Sequence, residues 1–219
     1  MTESLHLPVA SAFDRWAATY DGYDNPMVFL ASHILAQHLP AARNLDVFEF
    51  GCGTGRNLKA LQAAGARSVA GCDLSAGMLA HAPNAFQHDI TTPLPVPDQS
   101  AGLVLFSLTL EHIEHLTPPL SEARRILRPS GRILVIEIHP FLSLSGVAAH
   151  FNDGSQEITM PTFPHQFSNY LAAFAAAGLR LDACREWRPI DLGAAAPPKV
   201  FKRGPESPLA VEFQLVSNA

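Results

Sequence analysis

From residue 45 onward the chain alternates short apolar runs, broken by Gly and Asp, with stretches in which apolar residues recur at helical spacing. That alternation is how the strands of a parallel sheet and their crossover helices read in sequence. It predicts strands near 45–50, 68–72, 84–88, 102–107 and 132–138, with helices over 55–64, 75–81 and 120–127. Pro118-Pro119 and Pro129-Ser130-Gly131 punctuate the last of these helices. Ahead of the first strand, Phe13, Trp16, Ala17 and Tyr20 share one face of a short helix over 10–20. Asn25 followed by Pro26 reads as an N-cap and first helical residue, opening a second helix through Met27, Leu30, Ile34, Leu35 and Leu39. Beyond Glu137 the alternation is lost over 139–166, where the sequence NDG at 152–154 predicts a hairpin turn. A helix over 170–177, closed by Gly178, and strands over 179–185 and 211–216 complete the chain, and 189–208 reads as a long surface connection.

The length of 219 residues, without a linker or repeat, predicts one domain covering 1–219. Within it we distinguish an N-terminal helical cap (1–44), a core (45–138), an insertion covering the acceptor (139–170), and a C-terminal helix with strands (171–219). A formal charge of -5 has the wrong sign for a surface that neutralises phosphates, so a nucleic-acid partner is not expected. Cys52, Cys72 and Cys184 form no CxxC pair, which excludes a disulfide framework or zinc site of the usual spacing and fits a reducing cytoplasm. The first residues lack a basic start with an apolar core, and no apolar run approaches the roughly 20 residues of a membrane span. A soluble cytoplasmic protein without a membrane partner is therefore expected.

The candidate chemistry begins at VFEFGCGTGRN (47–57), where Gly51, Gly53 and Gly55 follow a strand and open a helix. A dinucleotide site prefers GxGxxG, with pyrophosphate on the helix N-terminus. Here Arg56 fills the third-glycine slot, and Glu49 before the turn points to a ligand bearing an amino group. Asp73, ending the next strand in VAGCDLS, can accept two hydrogen bonds from a ribose diol, and Asp89 in FQHDI can accept from an adenine amine. Three acids at three successive strand ends outline one nucleoside-shaped site.

At these residues the sequence resembles the class I S-adenosylmethionine-dependent methyltransferases, in particular the small-molecule group with ubiquinone/menaquinone-type and malonyl-carrier-protein-type enzymes. FDRWAATYD (13–21), VFEFGCGTG (47–55), GCDLSAGML (71–79), LVLFSLTLEHI (103–113) and LRPSGRILVIE (127–137) carry the likeness along most of the chain. The resemblance implies an α/β fold with a Rossmann-like, doubly wound seven-stranded sheet, mostly parallel with an antiparallel last strand, helices on both faces and an N-terminal helical cap. It implies S-adenosyl-L-methionine as cofactor and S-adenosyl-L-homocysteine as product. Glu49 and backbone around Ser107 would then meet the methionine amino group, and the backbone of Gly51, Gly53 and Gly55 the methionine portion. Asp73, with Leu74 beside it, would hold the ribose, Met78 and Ile90 would flank the adenine, Asp89 would bond its amine, and Tyr20 would close over the cofactor. The chain departs from the pattern at Glu49, where Asp is commoner, and at Gly102, where Asp is usual.

Transfer from a sulfonium is an in-line displacement, and a base is needed where the acceptor carries a proton. His139, directly after a strand at the ligand edge, and His165, in the covering segment, are the candidate bases. Phe141, Leu142, Phe151, Met160, Phe163, Phe167 and Tyr170 are expected to form an apolar acceptor pocket, which favours a small-molecule acceptor; the protein is expected to be a monomer or homodimer. EHIEH (111–115) matches neither HExxH nor HxxEH, so no metal is expected and the stretch reads as a solvated helix start. Arg124, Arg125, Arg128 and Arg132 read as a solvated face, and Cys52 as a small buried thiol. Two other readings stay open: a cofactor-binding module or non-methylating enzyme, such as a regulatory subunit or cyclase, and a protein or RNA methyltransferase. FSLT at 106–109 in place of an NPPY-like tetrapeptide weighs against the last.

Overall fold

The computed structural model describes residues 4–193 and 196–218, so residues 1–3, 194, 195 and 219 lie outside it, including the start of the expected cap and two positions of the expected 189–208 connection. The elements in chain order are β1 (Ser4–His6), α1 (Val9–Trp16), α2 (Pro26–His38), β2 (Asp46–Phe50), α3 (Arg56–Ala63), β3 (Ser68–Asp73), α4 (Ala76–Leu79), β4 (Ala85–Gln87) and β5 (Ala101–Ser107). They continue with α5 (Thr117–Ile126), β6 (Leu127–Ile138), α6 (Pro140–Leu144), β7 (His150–Asn152), β8 (Glu157–Thr159), α7 (Phe167–Ala176), β9 (Leu179–Trp187) and β10 (Ala210–Ser217).

Seven strands form one sheet in the order β4-β3-β2-β5-β6-β10-β9. The β4/β3, β3/β2, β2/β5 and β5/β6 pairs are parallel, and β10 runs antiparallel between β6 and β9. This is the doubly wound arrangement the sequence predicts. The strand residues alternate between two buried faces, which is why they read as unbroken apolar runs. Phe48, Phe50, Val104, Phe106 and Val135 pack with Leu120, Ala123 and Ile126 of α5 and with Phe174 of α7. Val47, Leu103, Leu105, Leu134 and Ile136 pack on the other face with Leu30 and Ile34 of α2 and Leu58 and Leu61 of α3.

Helix α2 starts where the Asn25-Pro26 signal puts it, with Asn25 Oδ1 accepting the Met27 N–H at 2.9 Å. Elsewhere the sequence reading needs correction. The helix expected over 10–20 stops at Trp16, and Tyr20 opens a separate 3-10 turn through Gly22. The helix expected over 75–81 is the single turn α4. Strand β1 was not expected, because its partner, β8, is distant in sequence: Ser4 pairs with Glu157 and His6 with Thr159, in parallel. With the NDG hairpin of β7 and β8 it makes a three-stranded sheet in the order β1-β8-β7. The 189–208 stretch is more than a surface connection, since two 3-10 turns, Pro189–Leu192 and Pro198–Arg203, bury Leu192 and Val200 against the core. Arg125 is not simply solvated either: it bonds Glu122, Asp98 and the carbonyls of Leu94 and Val96, fastening the loop before β5. Among the described residues no helix is long and apolar enough to cross a membrane.

Phe213 on β10 is fully buried, with Tyr170 at 5.1 Å, Phe174 at 5.3 Å and Phe167 at 6.0 Å between ring centroids. Phe213→Ala is expected to cost about 3–5 kcal/mol through lost burial and the cavity left behind. Urea unfolding checks this, and a change below about 1 kcal/mol would mean that the α7 aromatic layer does not anchor the sheet.

Candidate active site

After β2 the chain turns into α3 on one face of the sheet, and after β5 it proceeds toward α5 on the other face. A crevice must therefore open at the carboxyl ends of these adjacent strands, which is where open α/β sheets bind ligands. A cavity of about 260 Å³ occupies it. The floor is the glycine turn, with Gly51, Gly53 and Gly55 at φ 67°, 54° and 73°. A Cβ on Gly51 would lie 2.4 Å from Thr109 Cγ2, so the site needs glycine there both for backbone and for space. Gly53 faces open space in the cavity, which lets a ligand approach its backbone directly.

Acids from three strands surround this turn. Asp73, closing β3, accepts the Gly53 N–H at 2.8 Å on Oδ2 and the Ser75 N–H at 2.9 Å on Oδ1, which welds the turn to the next strand. Burial raises its pKa against the pull of those N–H groups. Asp89, past β4, is exposed, and its Oδ1 takes the Thr91 N–H and hydroxyl. Glu49 is buried behind the turn, where Oε1 accepts from Asn57 Nδ2 at 2.7 Å and Oε2 has no partner. Asp73, Leu74, Met78, Asp89, Ile90, Ser107 and Tyr20 all line the cavity with Gly51 and Gly53, while Glu49 and Gly55 lie behind it. The residues fit an elongated nucleoside with an amino group: hydroxyl-accepting carboxylates lie on one side, and an orphaned buried acceptor lies beneath the glycines. A pyrophosphate would meet carboxylates instead.

Residues 48–135 match the family described as Methyltransferase domain. The chain is 34% identical to the malonyl-[acyl-carrier protein] O-methyltransferase of Pectobacterium atrosepticum over 57% of its own length and 51% of that protein's. It is 30% identical to the demethylmenaquinone methyltransferase of Tropheryma whipplei over 60% of each. The S-adenosylmethionine dependent methyltransferase from Mesorhizobium loti has the same fold, with a TM-score of 0.67, 20% identity, and coverage of 83% of this chain and 95% of that one. Residues 48–135 are thus similar to a methyltransferase domain, and the chain shares the fold of S-adenosylmethionine-dependent methyltransferases. The chain spans about half to three fifths of the length of these curated relatives.

A second, larger cavity of about 380 Å³ adjoins the first, and Phe13, Tyr20, Leu108 and His112 line both. Leu108 is a non-glycine residue at φ 55°, a strained conformation held by the Leu108 N–H to Ile136 carbonyl bond of 2.8 Å. The next turn is pinned by Glu137 of β6, whose Oε1 accepts the Thr109 and Leu110 N–H groups at 2.9 and 2.8 Å. This turn corrects the reading of EHIEH as a solvated helix start. It is a 3-10 turn with Leu110 and Glu111 buried; Glu111 lines the larger cavity, and its carboxyl lies 3.9 Å from His112 Nε2. His112 Nδ1 bonds the Pro161 carbonyl at 2.9 Å, and its ring stands edge-on to Phe13. Among the described residues no group of acids, histidines and cysteines is arranged to hold a metal.

The two histidines expected as bases lie outside both cavities. His139 precedes Pro140 and becomes the N-cap of α6, with Nδ1 accepting the Phe141 N–H at 3.0 Å and Nε2 donating to Glu186 at 2.7 Å. His165 Nε2 donates to the Ile113 carbonyl at 2.8 Å, with its ring against Tyr170. Of the aromatic and apolar residues expected around the acceptor, only Leu142 lines the larger cavity. Phe167 and Tyr170 pack under Phe213, Phe151 stacks on Trp16 at 4.4 Å, and Phe141 is exposed. The cavity is walled instead by Trp16, Tyr23, residues 147–150, and the 3-10 turn Pro198–Arg203.

The N-terminal segment is latched over this edge by two carboxylates. Asp14 Oδ1 accepts Ser75 Oγ–H at 2.6 Å and the Gly77 N–H at 2.8 Å, and Asp21 accepts the Thr54 hydroxyl at 2.8 Å. Both aspartates lie within or beside the FDRWAATYD segment, where their spacing was the available signal.

Burial raises Glu49 and Glu111 from the ordinary 4.5 to about 8, and Glu137 to about 7. Glu137 charge adds to the effect on Glu111. The folded chain therefore holds protons that the unfolded chain releases between pH 4.5 and 8, so stability is full below that window and falls as pH rises through it. Burial lowers His112 and works the other way, but only below its ordinary 6.5. In the ligand-free protein, urea unfolding is expected to show lower stability at pH 8 than at pH 6.5, and Glu111→Gln should flatten the slope. Stability rising over that interval would contradict the burial of these carboxyls.

Proposed function

We propose that the chain transfers the methyl group of S-adenosyl-L-methionine to an oxygen, nitrogen or carbon atom of a small, partly apolar metabolite. The observation that carries this reading is the junction of the two cavities at Phe13, Tyr20, Leu108 and His112. Asp73 would accept from the ribose hydroxyls with Leu74 at its edge, Asp89 from the adenine amine, and Met78 and Ile90 would flank the base. Glu49 and backbone around Ser107 would meet the amino group, with Gly51, Gly53 and Gly55 bringing backbone against the methionine portion. Bound there, the cofactor supplies a methyl group already activated on a sulfonium. The chain has then to hold an acceptor in line at about 3–3.5 Å and keep water out. Tyr20, whose hydroxyl burial pushes up to about 12, stays a protonated donor at the junction.

Where the acceptor carries a proton, Glu111 is the base we assign in place of His139 and His165. Its carboxyl makes no side-chain hydrogen bond among the described residues, and the residue lines the larger cavity. Burial gives it a pKa of about 8, so its ionised, proton-accepting form grows as pH rises toward 8. The names of the relatives, which refer to malonyl-[acyl-carrier protein] and demethylmenaquinone, support a metabolite over a nucleic acid. We also read the chain as a single methyltransferase domain working in the cytoplasm, a setting consistent with the free thiols of Cys52, Cys72 and Cys184.

Incubation with methyl-labelled S-adenosylmethionine and a metabolite extract is expected to yield a labelled small molecule, at a rate that rises with pH to a plateau above about 8. Glu111→Gln should lower kcat roughly 100-fold and remove that pH limb while leaving S-adenosylhomocysteine affinity unchanged. Tight cofactor binding without any labelled product would favour the binding-module reading instead.

A further inference from the structure

The acid excess of the chain is locally reversed beside the larger cavity. The 3-10 turn Pro198–Arg203 (PKVFKR) carries Lys199, Lys202 and Arg203, in a protein with 20 acidic and 15 basic residues. All three line the larger cavity, and none lines the cofactor cavity. Lys199 Nζ is paired with Asp24 at 2.7 Å, whereas Lys202 and Arg203 have no ion pair or side-chain hydrogen bond among the described residues. Exposed lysines and arginines usually serve solvation. These differ because the cavity they border is walled largely by apolar and aromatic groups such as Trp16, Met27, Ile138 and Val200, with Asn25, Glu111, His112 and His150 as its other polar residues. Charge of one sign at a low-dielectric cleft focuses the field and gathers ligands of the opposite sign. The carboxyl group lining the same cavity, Glu111, is raised to about 8 by burial and is largely uncharged at neutral pH, so it does not cancel that field.

We propose that the acceptor is an amphipathic small anion: an apolar body in the 380 Å³ cavity, with a carboxylate or phosphate held by Lys202 and Arg203, and Lys199 beside them. The anionic group lies at the end remote from the atom methylated, because the wall shared with the cofactor cavity is made by Phe13, Tyr20, Leu108 and His112 and not by the basic turn. The volume is at the small end of the roughly 300–1,000 Å³ of ligand pockets, which suits a metabolite with one such head group. This inference rests on the methyl-transfer reading and sharpens its substrate class. Arg203 is suited to fork onto two oxygens of the head group, and Lys202 to neutralise it as a point charge.

The test uses the full chain saturated with S-adenosylhomocysteine and three probes of matched body: 4-phenylbutyrate, 3-phenylpropyl phosphate and the uncharged 4-phenylbutyramide. Trp16 in the cavity wall provides a fluorescence readout, and calorimetry an independent one. At least one anion is expected to bind ten times or more tightly than the amide, and which of the two does so identifies the head group. The double variant Lys202→Gln/Arg203→Gln should reduce that preference to twofold or less, whereas Lys202→Arg/Arg203→Lys should retain most of it. Both pairs are exposed, so the fold should tolerate them, and S-adenosylhomocysteine affinity should stay unchanged in each. Equal binding of acid and amide, no binding of any probe, or a preference that survives the glutamine variant would each overturn the proposal. Failure of S-adenosylhomocysteine itself to bind the wild type would instead remove the methyl-transfer reading on which it rests.

Discussion

Strands β2 and β5 lie side by side, yet the segments that follow them depart to opposite faces of the sheet. Two chains leaving one edge in opposite directions cannot close over each other, and the gap between them is a property of the connectivity before any side chain is considered. Every feature of the site is fitted into that gap. The glycine turn keeps the backbone of the β2 exit low enough to leave room, and the Gly53 to Asp73 bond fixes it to β3. Glu137 reaches from β6 to hold the exit of β5, including the strained Leu108 and the turn that aims Glu111 inward.

The carboxyls that serve this crevice differ according to how they are satisfied. Asp73 is surrounded by N–H donors that partly offset its burial, and it lines the cofactor-sized cavity. Glu49, with the single donor Asn57, and Glu111, with no side-chain donor among the described residues, are pushed toward the neutral form. A buried acid without a full complement of partners costs stability in the free protein. Glu49 carries such a cost under the glycine turn, where an amino group would relieve it, and Glu111 carries it beside the larger cavity.

The parts of this architecture that depend on neighbouring residues were legible in the sequence. GCGTG, the acids at strand ends and the Asn25-Pro26 cap each depend on residues a few positions apart, so their spacing reports their geometry. The acceptor side depends on distant packing and was misread. Phe151, Phe167 and Tyr170 are as apolar as pocket residues but meet Trp16 or Phe213 instead. His139 was drawn into a helix cap by the proline after it. Glu111 and His112 looked solvated because nothing nearby reveals that a glutamate 26 residues beyond Glu111 turns them inward. The basic turn at 198–203 lies in a stretch rich in proline and glycine, whose composition says loop and not which cavity the loop borders.

We read the crevice at β2 and β5 as built for a nucleoside with an amino group and not for a dinucleotide. Calorimetric titration of the purified chain with S-adenosylhomocysteine and, separately, with NAD tests it most directly. One equivalent of S-adenosylhomocysteine should bind with micromolar or tighter affinity and NAD should give no measurable heat, on the expectation that acids in place of phosphate-binding groups disfavour the pyrophosphate. Saturable binding of NAD with no response to S-adenosylhomocysteine would contradict the account.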